Sequence, residues 1–150
     1  MATFEHNDTK MTKKSKQELN KMHWRDRYEY ESRRSAESLA GHSEERLVYR
    51  VENNLLDPYF SVWRSLGKIG TVEGSAMALW RFLQRSPGKS RMLHRYHCAA
   101  ALFKILGMED PASESELRKG VQWDSHGEEA RQKALLALKE IIESKLSVPR

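Results

Sequence analysis

The densest run of reactive side chains is His94-Arg95-Tyr96-His97-Cys98. On a helix His94 and Cys98 share a face, four positions apart, and His97 lies three beyond His94. Zinc accepts imidazole and thiolate, so this run is where a metal would be sought first. A tetrahedral site needs more ligands, and no second His or Cys pair is spaced to supply them. Cys98 precedes Ala99-Ala100-Ala101, where a thiol serves as a small core residue. Metal ligands: none are expected. Pro87-Gly88-Lys89-Ser90 repeats the closing letters of a phosphate-binding loop, but that motif requires a glycine where Leu83 stands. The same letters read as a turn with Ser90 capping the next helix, whose free amides and Lys89 still favour an anion. No carboxylate pair is placed for acid–base work, and no serine, histidine and aspartate are set in a catalytic pattern. The sequence predicts no enzyme, no cofactor and no small-molecule substrate.

Charge is more informative once it is located. The net charge is +5, yet residues 1–57 hold 11 basic and 11 acidic side chains, and residues 108–150 hold 7 and 9. Residues 58–107 hold 8 basic side chains against Glu73 alone. A field of that sign draws acidic partners. Arg81 and Arg85 lie four apart, Lys89 and Arg91 flank the turn, and Arg95 follows on the next helix. These five, with Trp80 beside them, form the predicted partner-binding patch. An acidic protein surface fits them. The alternative is a nucleic-acid backbone, since phosphate affinity needs only clustered Lys and Arg. Little aromatic interleaving and no reader motif weigh against it.

These residues need a frame. At 150 residues the chain has the length of one domain with a real core. One cysteine excludes an internal disulfide framework and suits a reducing compartment, the cytoplasm. The first residues have no apolar core of a signal peptide, and no run of about 18 apolar residues would span a membrane. Residues 1–14 read as a flexible polar tail. Residues 15–150 read as one helical domain. Ser15-Lys16-Gln17-Glu18 is a capping box opening a helix to about Ala40, stopped by Gly41. Its middle is crowded with charge, as in the end cap of a stack. Trp24, Tyr28 and Tyr30 pack back on that stack or dock a partner.

Ser43 caps the next helix, with Leu47, Val48, Val51 and Leu55 on one face. Asp57-Pro58 stops it and starts another, proline at the first helical position costing no hydrogen bond. Phe60, Val62, Trp63, Leu66 and Ile69 face inward there, and Gly70 ends it. Thr71 caps a helix to Arg85, with Ala76, Met77, Trp80 and Leu83 inward. Ser86-Pro87-Gly88 turns the chain into a helix from Ser90 to Leu106. Ser113 opens a short helix to about Trp123, and Ser125-His126-Gly127-Glu128 opens the last. That one carries Leu135, Leu136, Leu138, Ile141, Ile142 and Leu146 on its apolar side. No strand is predicted, so the fold class is all-α.

One phrase recurs. Ser65-Leu66-Gly67-Lys68-Ile69 returns as Ala101-Leu102-Phe103-Lys104-Ile105 and as Ala137-Leu138-Lys139-Glu140-Ile141, each copy 36 residues after the last. A small residue, Leu and Ile thus share a helical face three times, at a helix-turn-helix spacing. Over residues 57–107 the chain resembles HEAT-type repeats, in particular the short variety named after the phycobilisome lyases. Leu66-Gly67-Lys68-Ile69-Gly70 is similar to that family's ending of an A helix, Thr71 to Arg85 to its B helix, and Arg91 to Gly107 to the next A helix. The likeness is looser from residue 43 to 146, and the third copy lacks the closing glycine. The resemblance implies an α-solenoid of about three stacked helix pairs that binds macromolecules. The expected function is therefore a non-catalytic adaptor in a larger assembly, presenting Arg81, Arg85, Lys89, Arg91 and Arg95 to an acidic protein.

Overall fold

A computed structural model describes residues 13–85, 91–108, 117, 120–121 and 127–147. Every regular element among them is helical: α1 Lys16–Lys21, α2 Trp24–Leu39, α3 Glu44–Glu52 and α4 Ser61–Ile69, then α5 Met77–Arg85, α6 Met92–Ile105 and α7 Gly127–Leu146. A π-helical turn, Val72–Ala76, runs directly into α5. No described helix is long and apolar enough to cross a membrane. The residues before 13, the turn at Ser86-Pro87-Gly88, the Ser90 cap and the helix start at Ser113 lie outside the described residues.

The predicted caps at Ser15, Ser43 and Thr71 are present. Each side-chain oxygen accepts from the amide three residues on, at 3.1, 3.2 and 2.9 Å. The long helix expected to Ala40 is instead two, broken at Met22 and His23. Both residues are extended there, and His23 Nδ1 accepts from Arg25 N at 3.2 Å, starting a new helix. α1 buries no residue, so no packing holds it in line with α2. Lys14, read as loose tail, donates its amide to the Tyr30 hydroxyl at 2.5 Å.

The start of α4 also differs. The helix begins at Ser61, not Pro58, because the Asp57 carboxylate caps it from a distance. Oδ2 accepts from Tyr59 N, Ser61 N and Ser35 Oγ at 3.1, 3.0 and 2.9 Å, and Oδ1 from Val62 N at 3.2 Å. Reaching that far bends the chain through Phe60, which is left-handed at φ 62°. Ile69, expected inside, is 47% exposed, and Leu55 and Leu136 also face outward. The inward stripe of α4 is Val62, Trp63 and Leu66, all buried. Ile69 falls past its edge, where Ile105 fills the space: a Cβ at Gly70 would stand 2.7 Å from Ile105 Cδ1.

The contacts reveal the order of packing. Phe60 meets His94, Gly67 meets Ala101, and Gly70 meets Ile105. Successive residues of α4 and its flanks meet successive residues of α6, so the two helices run the same way. Gly67 allows the close approach, its Cβ position lying 3.7 Å from Ala101 Cα. α3 and the segment Thr71–Arg85 also run the same way, joined at Glu44–Thr71 and Glu52–Arg81. α7 breaks this rule. Trp80 reaches Leu135 while Leu83 receives Arg131, so α7 runs against α5. The third copy of the repeated phrase lies on α5 and not on α6, a correction to the expected third layer. Between the layers Trp63 packs on Phe82 with ring centroids 4.7 Å apart, among buried Leu47, Leu79, Leu102 and Leu138.

Candidate functional site

The predicted patch does not present one surface. Arg81 is exposed, but its Nη2 lies 3.4 Å from Glu52 Oε1, so its charge is partly matched. Arg85 Nη2 donates to the Val51 carbonyl at 2.6 Å, with the guanidinium over the Phe82 ring. It adds a second donor at the end of α3, where the Val51 carbonyl also accepts from Asn54 N at 3.3 Å, and Arg85 itself stays exposed. Arg91 is half-buried at the start of α6, and Lys89 lies outside the described residues. Arg95 is 0% exposed, which removes it from any surface. Its position explains this: with Cys98, Ala99 and Leu102 it forms the buried stripe of α6. Trp80, 7% exposed, belongs to the core and donates Nε1 to the Leu135 carbonyl at 2.8 Å.

The His and Cys run has been divided by its helix. Cys98 Sγ donates to the Leu79 carbonyl, and burial pushes the thiol well above its usual range. His94 Nδ1 accepts from Trp63 Nε1 at 3.1 Å. His97 stacks on Phe60 with centroids 4.3 Å apart. Burial, with Arg91 near one ring and Arg64 near the other, lowers both imidazole pKa values, so both stay neutral near pH 7. These rings fasten α4 to α6 and leave no shared open position. Among the described residues no group of at least three His, Cys, Asp or Glu is gathered to hold a metal.

A second group of cations without an acidic partner lies elsewhere. A groove of about 500 Å³ opens between α2 and α4, with Ser32, Arg33, Arg64, Ser65, Lys68 and His42 around it. No carboxylate lines it among the described residues. Arg33, Arg64 and Lys68 are exposed. Arg64 Nη2 donates to the Tyr59 carbonyl at 2.8 Å and to Ser32 Oγ at 3.2 Å, neutral partners that orient the guanidinium without cancelling it. On α6, exposed Lys104 packs its Cδ 3.6 Å from the Cβ position of Gly67, the residue before Lys68. α2 is held against α4 by Tyr59, whose hydroxyl donates to the Glu31 carboxylate. Burial and that carboxylate push the phenol up to about 12.

Arg33 was hidden from charge counting because Glu29, Glu31 and Glu37 surround it in the sequence. The useful signal was local: Arg64 and Lys68 are four apart on one helix, with no acidic residue between them. No known protein family, curated protein or solved structure matches the chain.

Proposed function

We propose that this chain is a non-catalytic helical-repeat adaptor that holds an acidic protein partner against its α2–α4–α6 face. One observation carries the reading. Arg33, Arg64 and Lys68 line one groove between α2 and α4, Lys104 of α6 packs against Gly67 beside Lys68, and no ion pair cancels them among the described residues. Such a group steers an acidic surface into place and sets its orientation. Further support comes from the two same-direction pairs, α4 with α6 and α3 with the Thr71–Arg85 segment, the arrangement that HEAT-like units adopt when they stack. The binding face has moved from the Arg81–Arg95 patch to these four residues.

The test is site-specific photo-crosslinking in an extract of the native source. A photoreactive residue at Ile69, 47% exposed beside the cations, is compared with one at Leu136, 61% exposed on α7. The expected result is a crosslink from position 69 into an acidic segment, absent from position 136 and lost in Lys68→Glu/Lys104→Glu. Equal crosslinking from both positions, or none from position 69, overturns the reading. Tight binding of random duplex DNA that collapses with salt would replace the protein partner with a nucleic acid.

A further inference from the structure

The groove between α2 and α4 is larger than one small ion requires. Its volume of about 500 Å³ compares with roughly 30 Å³ for each molecule of liquid water, room for on the order of fifteen of them. Its lining has two characters. Arg33, Arg64 and Lys68 supply charge and the Ser32 and Ser65 hydroxyls supply neutral donors, while Leu39 and Leu47 form an apolar floor. Arg64 is already oriented by the Tyr59 carbonyl and Ser32. Holding a planar guanidinium in place beforehand lowers the entropy lost when it grips an oxyanion. His42 adds a buried Nδ1 with no hydrogen-bond partner among the described residues.

A lone carboxylate would leave most of these donors unused. A phosphate monoester carries a charge near −2 and three strong acceptor oxygens, which suits cations converging with hydroxyls. The apolar floor suits the stem and flanks of a peptide. We infer that the α2–α4 groove binds a phosphorylated serine or threonine of the acidic partner. The phosphate lies among Arg33, Arg64 and Lys68, and the flanking chain covers Leu39 and Leu47. This rests on the adaptor reading and narrows it: the partner is recognised in its phosphorylated state. Binding switches on with the modification, because the phosphate supplies the negative charge that the groove's cations have no partner for.

A labelled phosphoserine peptide with alanine and leucine flanks, followed by fluorescence anisotropy on the full chain, tests the assignment. The phosphopeptide is expected to bind at least ~10-fold more tightly than its unphosphorylated form, as charge-assisted pairing implies. Arg33→Glu should weaken it by a similar factor. Ser65→Glu, which sets a carboxylate among the cations, should do the same, and Arg81→Glu should change nothing. Circular dichroism on each variant separates lost binding from lost fold. Equal affinity for both peptides, or full binding by both folded groove variants, overturns the proposal. So does inorganic phosphate competing as effectively as the peptide, since the groove would then hold only a free anion. A chain that crosslinks its acidic partner from position 69 yet ignores the phosphopeptide loses this inference alone. One that finds no acidic partner loses the adaptor reading as well, whatever the peptide does.

Discussion

α4 and α6 lie side by side in the same direction, and α7 lies against α5 in the opposite one. The first contact is made by small residues and rings. Gly67 faces Ala101, and Phe60 is clasped by His94 and His97. The second is made by long donors: Trp80 reaches the Leu135 carbonyl, and Arg131 reaches Leu83 at 3.0 Å while pairing with Glu128. Close backbone approach between parallel helices depends on missing side-chain volume. The antiparallel contact instead depends on side chains long enough to reach carbonyls of the facing helix. The same repeated phrase occupies both settings, and its leucines, Leu66, Leu102 and Leu138, are buried in each, so they specify burial and not direction.

The deepest cut to the first contact is Trp63→Ala. It empties the space between Phe82 and His94 and should cost about 3–5 kcal/mol by chemical denaturation. Asp57→Ala comes next. It removes the acceptor of four hydrogen bonds at the start of α4 and should cost about 2–4 kcal/mol, a cap loss plus charged bonds. The second contact is tested by Arg131→Met, which strands the Leu83 carbonyl and should cost about 1–3 kcal/mol. Hydrogen exchange in that variant should rise in α7 and stay low in α4 and α6. Equal loosening of both regions would erase the distinction between them.

Acid should also separate the two. The folded pKa values of His94 and His97 lie below 6.5, so their contribution is complete above that pH and fades as the pH falls through the folded values. Melting temperature should therefore drop below pH 6.5, and His94→Gln/His97→Gln should flatten the drop. Asp57 adds a lower step. Burial raises its pKa, but the Ser61, Ser35 and Val62 bonds outweigh this and hold it below 3.8, so its cap fails as the pH falls further. The smallest effect is expected at Gly74, where an added Cβ would run into Glu44 Oε1. Gly74→Ala displaces that carboxylate from Thr71 at a cost of about 1 kcal/mol, offset by about 1 kcal/mol of helix propensity.

Helices, caps and most of the core were legible because they depend on neighbours in sequence. Ser43 and Thr71 cap as their letters say, and Val62, Trp63 and Leu66 mark the inward stripe of α4. What escaped depends on distant partners. Asp57 was readable as a cap, but not its reach past Phe60 to Ser61 and Val62. The direction of α7 follows from Trp80 and Arg131, which no periodicity reports. The patch is dispersed for a related reason: Arg95 is basic in the sequence but buried in space, and Arg85, though exposed, spends a donor on the Val51 carbonyl. The groove needed α2, whose acidic neighbours concealed Arg33.

Phe60 has a mechanical consequence. A left-handed conformation costs a residue with a side chain roughly 1–2 kcal/mol. At φ 62° the backbone here is held against that cost by a ring wedged on His94 and His97. The loop before α4 is a loaded spring with two latches, the Asp57 carboxylate within it and the two rings of another helix. Anything that pries α6 away, from acid to a partner levering on the joint, leaves Asp57 alone to hold the first turn of α4.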